Sequence, residues 1–317
     1  MKKLQDAMGL PDVVNGVLTP MSKEAYKDDG ERPPLGRDDA SAFRSWAARV
    51  NYVAQDRPDL SLAACVLASK MACPRAGDDA LVKRVARFML QYPEASLEYK
   101  WQEPGAALVG TTDSDWAADP KTRISKSGGT VTRGLHLIAH WCKQEDRIAL
   151  SSGEAELKAS CKCLAELLEV REVMDFLTEL PPTMQLHLDA QATEGMLLRQ
   201  GAGKLKHLTV RTLWVQAAVL EHDVKVIKLP RALNHADVLC SFHIAPEFHE
   251  KLHSMGLRLR PARGHRRRGG EDEEDEEPQV HLLMGHTTRR QTRAHRLLMM
   301  LGLLENGACD SLEEQWT

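Results

Sequence analysis

The order of β-forming runs and helical-period segments between residues 106 and 242 constrains the fold of this chain more than any other feature. Short runs rich in Val, Thr, Ile and Leu fall around 106–112, 129–133 and 135–142, between Gly, Pro and Lys punctuation, and predict three strands. "SSGEAELKASCKCLAELLEVREVMDFLTEL" then carries a helix from a capping box at Ser151 and Glu154 to a stop at Pro181-Pro182. "MQLHLD" predicts a fourth strand, "AQATEGMLLRQ" and "HLTVRTLWVQAAVLEHD" two helices, and "VKVIKL" a fifth strand, while "NHADVLCSF" opens a last helix at an Asn cap. The order β-β-β-α-β-α-α-β-α implies an α/β domain with a mixed sheet and helices packed on it.

The rest of the chain has a different texture. Residues 1–40 are rich in Pro, Gly, Asp and Lys without a sustained period and predict an irregular lead-in. From 41 to about 100, "FRSWAARVNYVAQ", "LSLAACVLASKMA" and "DDALVKRVARFMLQY" return apolar residues at helical spacing and predict three helices. The α/β domain is expected over 101–250. Residues 251–317 are expected to form a charged, largely disordered tail, because "RPARGHRRRGGEDEEDEEPQ" sets a basic block against the acidic run 271–277 and offers little to bury. A short amphipathic helix is expected over 289–304.

Composition narrows the class. Hydrophobic content of 43% with 27% charged residues reads as globular, and the net charge of −3 hides these opposed local runs. Seven scattered cysteines without a C-x-x-C pair point to a reducing, intracellular setting, cytoplasmic or nuclear. No stretch approaches eighteen consecutive apolar residues, and "MKKLQDAMGLPDVV" lacks the apolar core of a secretory signal, so neither membrane nor export is expected.

Four carboxylates fall at element ends or starts: Asp113 ending the first strand in "TTDSDWAADP", Glu156 in the first turns of the long helix, Asp189 ending the fourth strand, and Asp237 opening the last helix. Such strand-end positions line the ligand crevice of open α/β sheets. An Asp after a strand is most often a turn former, so the weight lies in the set of four. Glu154 shares a polar helix face with Lys158 and Lys162, whereas Glu156 shares a side with Cys163, Leu167, Val170 and Met174 and borders the buried stripe. Clustered carboxylates need a counter-charge, and hard oxygen ligands select Mg²⁺ or Mn²⁺. Two such ions about 3.5–4 Å apart stabilise the attacking and leaving oxygens of a phosphodiester displacement.

These residues carry a family resemblance. "DSDWAADPKTRISKSG" (113–128) resembles the "DADWAGDPDDRKSTSG" of copia-type LTR retrotransposon Pol polyproteins, and "ALSSGEAEL" (149–157) is similar to their "ALSSTEAEY". "LDAQAT" (188–193), "KHLTVR" (206–211) and "NHADVL" (234–239) look like "CDNQSA", "KHIDIR" and "NQLADIL", and "FRSWAARVNYVAQDRPDLSLAACVLASKMACP" resembles the segment that follows the polymerase palm. The resemblance covers roughly 41–245. It implies a ribonuclease H-like sheet with helices on both faces, preceded by the tail of a reverse transcriptase. It also implies that Asp113, Glu156, Asp189 and Asp237 are the metal-binding carboxylates of a two-Mg²⁺ enzyme that cuts the RNA strand of an RNA–DNA hybrid. Ala190 for Asn or Ser, Gly153 for Thr and the altered "LPRALNHADVL" depart from the family pattern without removing a ligand.

Secondary candidates follow. Lys121, Arg123 and Lys126 after Asp113, and Lys204, Lys206, His207 and Arg211 around "KHLTVR", are candidate phosphate contacts for the hybrid. His235 is a candidate proton shuttle beside Asp237. Trp116 is expected to pack under the loop that follows the acidic cluster. "AYKDDG" (25–30) imitates a polymerase Tyr-x-Asp-Asp box, but its flanks are polar and it reads as a loop. The resemblance also implies an absent polymerase palm as a partner for the helices of 41–92. Two competing readings are a binding remnant that no longer cuts, and an integrase-like nuclease of the same superfold, whose last carboxylate is a Glu.

Overall fold

The computed structural model describes residues 16–26, 32–102, 105–119, 121–178, 182–201, 203 and 210–262. Helices α1 (Arg37–Val53), α2 (Ser61–Lys70) and α3 (Asp79–Gln91) correspond to the three helical-period segments. A 3₁₀ turn at Pro58–Leu60 leads into α2, with the guanidinium of Arg57 donating to the buried carboxylate of Asp59 at 2.7 Å. A short strand, β1 (Glu94–Leu97), follows.

The predicted strands then appear as β2 (Leu108–Asp115), β3 (Lys126–Arg133) and β4 (His136–Gln144), an antiparallel meander. Helix α4 (Ser152–Leu177) leads to β5 (Met184–Leu188), then α5 (Gln191–Leu197), α6 (Val210–Glu221) and β6 (Lys225–Lys228) follow. Because β5 pairs parallel with β2 and β6 parallel with β5, the sheet order is β4-β3-β2-β5-β6. The sheet is mixed and five-stranded.

Helices cover both faces. A Cβ on Gly110 would lie 2.7 Å from Cys163 Sγ of α4, so the missing side chain lets α4 pack directly on β2. Val131, Leu164, Leu167, Leu186 and Val215 fill that side. On the other face lies a 3₁₀ turn, His235–Leu239, where a longer Asn-capped helix was expected. Asn234 does cap it, accepting from Ala236 N at 3.1 Å.

Residues 251–260, expected in the charged tail, instead complete two elements. Helix α7 (Ala245–Ser254) and strand β7 (Leu257–Arg260) fold back, β7 pairing antiparallel with β1. The physical reason is apolar cover: Phe248, Leu252 and Leu257 join Phe43, Leu67 and Phe88 in one core, with Phe248 edge-on to Phe88 at 6.0 Å. Much of the stripe expected to need a polymerase palm is therefore buried within the chain. The expected helix 289–304 and the acidic run 271–277 lie outside the described residues. Among the described residues, no helix is long and apolar enough to cross a membrane.

Candidate active site

Asp113 occupies the sixth position of β2 and faces Gly128 across the ladder. A Cβ on Gly128 would lie 2.8 Å from Ala236 O and 2.9 Å from Leu239 Cβ, so glycine there lets the 3₁₀ turn lie against β3. The turn then reaches Asp113 directly. Asn234 Nδ2 donates to Thr112 O and to Asp113 Oδ1, both at 3.1 Å, and Cys240 Sγ donates to Asp113 Oδ2 at 3.0 Å.

Glu156 arrives from the opposite face. Ser151 Oγ accepts from Glu154 N at 3.2 Å and starts α4, while Glu154 closes its half of the cap on Leu150 N at 2.8 Å, one residue earlier than a capping box requires. Glu154 pairs with Lys158 at 3.1 Å but is buried, not solvated as its helix face suggested. Two residues on, Glu156 Oε1 accepts from the N and Oγ of Ser114 at 3.2 and 3.1 Å. Asp189 follows the last residue of β5, the parallel neighbour of β2.

One oxygen each of Asp113, Glu156 and Asp189 lie within 4.8 Å of one another, although the residues come from a strand, a helix and a strand end. Asp113 is also grouped with Asp237 and Cys240 within the same span. Burial, then the charges of Asp113 and Asp189, pushes Glu156 up to about 8. Burial and the charge of Asp237 push Asp113 up to about 7, against a smaller opposing effect from the Cys240 hydrogen bond. Both are the signature of carboxylates gathered without a counter-charge.

Asp237 is different. Burial pushes it up, but the hydrogen bond and charge of His243 and the charge of Lys251 outweigh burial and hold it at about 2. Lys251 Nζ lies 3.3 Å from Asp237 Oδ2 and also donates to Asn234 O at 2.9 Å, with its side chain only 5% exposed. His243 stands between Asp237 and Glu247, at 3.5 and 3.0 Å. Cys240, His243 and Lys251 escaped sequence reasoning. The four-residue spacing of His243, Glu247 and Lys251 was the available signal.

The donor set fits a divalent ion. All four side chains offer hard oxygens, and Glu156 Oε2 and Asp237 Oδ1 are buried without a hydrogen-bond partner among the described residues.

The remaining candidates divide. Lys121 and Arg123 are exposed on the loop after β2, which Asp119 organises by accepting from Lys121 N and Thr122 N at 2.9 and 2.7 Å. Lys126 is not a surface cation: it is 1% exposed, with its ammonium 4.9 Å from the centre of the Tyr26 ring. Its place in β3, under the segment that carries Tyr26, turns it inward. His235 points Nε2 at Thr130 Oγ1, 2.9 Å away, and burial pushes it down to about 4, so it is neutral near pH 7. Trp116 is 45% exposed and tethered by Nε1 to Ala149 O at 2.9 Å, rather than packed under the loop. Lys204, Lys206 and His207, and the side chain of Arg211, lie outside the described residues, as does most of "AYKDDG".

A mixed sheet in the order β4-β3-β2-β5-β6, with acidic side chains from β2, α4, the end of β5 and the 3₁₀ turn after β6, defines a ribonuclease H-like domain. No family model matches the chain. It is 30% identical over 166 residues to the Retrovirus-related Pol polyprotein from transposon RE2 of Arabidopsis thaliana, covering 52% of this chain and 11% of that one. It is 32% identical over 129 residues to the Uncharacterized mitochondrial protein AtMg00810 of the same plant, covering 41% and 53%. The Secreted RxLR effector protein 161 of Plasmopara viticola is 33% identical over 110 residues, which cover 35% of this chain and 77% of that protein. A solved structure, LC11-RNase H1 isolated from compost by a metagenomic approach, aligns with 43% of this chain and 93% of its own, at 16% identity and a TM-score of 0.33. Curated relatives of the chain are thus retrovirus-related Pol polyproteins of copia-type transposons, at moderate identity over about half of its length. The chain spans about half the length of AtMg00810 and about a tenth of the RE2 polyprotein.

Proposed function

We propose that the chain is a retrotransposon-derived ribonuclease H that hydrolyses the RNA strand of RNA–DNA hybrids. In this reading Asp113, Glu156, Asp189 and Asp237 hold two Mg²⁺ ions, for which Mn²⁺ can substitute. The observation that carries it is the meeting of Asp113, Glu156 and Asp189 within 4.8 Å from three separate elements, two of them pushed well above the usual carboxylate range. When bound, the ions supply the positive charge that a phosphodiester displacement needs and lower the cost of ionising the attacking water.

The chain's own residues supply position. Ser114 fixes one oxygen of Glu156 and leaves the other free; Asn234 and Cys240 fix both oxygens of Asp113. Lys121 and Arg123 stand on the exposed loop that follows β2, suited to phosphate contact without sequence preference. Lys204, Lys206, His207 and Arg211, around the start of α6, are assigned the same role, and the RNA 2′-OH distinguishes the two strands. The palm of the same polyprotein is the proposed neighbour of α1–α3, and the site of action is intracellular.

A second reading, a module that binds hybrid without cutting, draws on the Lys251–Asp237 contact, which already supplies a cation to one carboxylate. Cleavage of a labelled hybrid by the purified chain in Mg²⁺ and in EDTA, with Asp113→Asn as control, decides between them. Metal-dependent cutting of the RNA strand that disappears in Asp113→Asn supports the nuclease. Binding without cutting in either Mg²⁺ or Mn²⁺ supports the module.

A further inference from the structure

His243 lies between the 3₁₀ turn that carries Asp237 and the first turn of α7, where Glu247 follows it by four residues. Its Nδ1 stands 3.0 Å from Glu247 Oε2 and its Nε2 3.5 Å from Asp237 Oδ2, with the side chain 5% exposed. One ligand atom each of Asp237, His243 and Glu247 lie within 4.8 Å of one another. Of the groups of potential metal ligands among the described residues, this one alone contains an imidazole.

The ring is held between two carboxylates, and a neutral imidazole has one N–H and one lone pair. With the N–H on Glu247, the nearer carboxylate, Nε2 turns its lone pair toward an anionic oxygen, and a positive centre must stand between them. A proton or a metal ion can be that centre. A carboxylate that takes one ring N–H and aims the other nitrogen at a metal is a common support for a histidine ligand. Asp237 can receive such an ion: it is 1% exposed, and its Oδ1 is buried without a hydrogen-bond partner among the described residues. Lys251 need not lose its place, because its ammonium also donates to Asn234 O at 2.9 Å and to Arg231 O at 3.4 Å. His235, two residues before Asp237, is engaged with Thr130 Oγ1 at 2.9 Å instead.

We propose that His243, positioned by Glu247, is a nitrogen ligand to the ion that Asp237 holds, so that this position selects Mn²⁺ over Mg²⁺. The inference rests on the reading of Asp237 as a metal ligand and adds a specificity to it. Oxygen-only sets suit Mg²⁺, and exchanging one oxygen for an imidazole nitrogen moves the preference toward first-row transition ions.

The test adds less than one equivalent of Mn²⁺ to the full chain at pH 8, in excess Mg²⁺ to fill sites that prefer oxygen, and records pulsed electron paramagnetic resonance. Wild type should show coupling of the Mn²⁺ spin to a ligating imidazole nitrogen, and the coupling should vanish in His243→Gln and in Asp237→Asn. By calorimetry His243→Gln should lose about tenfold or more in Mn²⁺ affinity and far less in Mg²⁺ affinity, and Glu247→Ala should lose about tenfold for Mn²⁺. Bound Mn²⁺ without nitrogen coupling, or coupling that persists in His243→Gln, overturns the inference and leaves the nuclease reading to the hybrid-cleavage assay. Failure to bind Mn²⁺ at all overturns both. If His243→Gln does not fold, Glu247→Ala decides, since its side chain is half-exposed, and an unchanged Mn²⁺ affinity there overturns the inference.

Discussion

Glu156→Gln should stabilise the metal-free protein while destroying its response to metal. Gln keeps an acceptor for Ser114 N and Oγ, and removes the charge that burial and the neighbouring Asp113 and Asp189 oppose. A rise from the ordinary 4.5 to about 8 corresponds to at most about 5 kcal/mol at ~1.36 kcal/mol per pH unit. Water entering the cluster screens part of this and leaves a gain of about 2 kcal/mol at alkaline pH, or about 4–8 °C in Tm for a domain of this size. The sign follows from proton binding. The folded carboxyl holds its proton between about 4.5 and 8 where the unfolded one has lost it, so wild-type stability falls as pH rises through that window. The advantage of Glu156→Gln should therefore be small at pH 5 and largest above pH 8. Thermal unfolding of both proteins in EDTA at pH 5, 7 and 8.5 measures it. Added Mg²⁺ at a hundredfold excess over its dissociation constant should stabilise wild type by about 2.7 kcal/mol and the variant by far less. A variant less stable than wild type in EDTA at pH 8.5, or a difference that ignores pH, would refute the reasoning.

Three further outcomes are expected. Lys251→Met leaves Asp237 with only His243 as a cationic partner among the described residues and should cost about 3 kcal/mol in EDTA at pH 7, seen as a lower urea midpoint at unchanged slope, with Mg²⁺ restoring part of the loss. Gly128→Ala pushes a Cβ against Ala236 O and the turn that carries Asp237, so circular-dichroism melts should show a loss of about 1–3 kcal/mol. Lys121→Ala with Arg123→Ala should weaken hybrid binding, measured by fluorescence anisotropy, and reduce the magnitude of its salt dependence by up to about two, while leaving Tm within about 1 °C because both side chains are exposed.

What the sequence conveyed about this site, and what it withheld, follows from which interactions are local. The strands of the meander, the long capped helix and the four acidic positions were legible because period, caps and strand ends are written within a few residues of one another. Three of those acids meet as their element ends implied. The fate of Lys126 was not legible: "RISKSGG" reads as a basic loop, and only a tyrosine a hundred residues earlier turns its ammonium inward. The partners of Asp237 were hidden in the same way. "APEFHEKLHS" and "LRLR" carried the periods of a helix and a strand, but they border a run so charged that the domain was expected to stop at 250. Folding them back places Lys251 on the fourth carboxylate, and this divides the electrostatic cost of the cluster in two. Asp113 and Glu156 meet it by holding protons, which an arriving ion must displace, and Asp237 meets it with a buried ammonium. A metal entering from the Asp113–Glu156–Asp189 side competes with protons and with neutral hydrogen-bond donors, whereas one that needs Asp237 also competes with the cationic partners Lys251 and His243. The two halves of the cluster should therefore answer pH through different groups: the first strengthens its hold on metal as Asp113 and Glu156 lose their protons toward pH 8, whereas the second follows the charge of His243, which burial lowers but Asp237 and Glu247 raise more, a difference that metal titrations at pH 6 and 8 on wild type and His243→Gln would resolve.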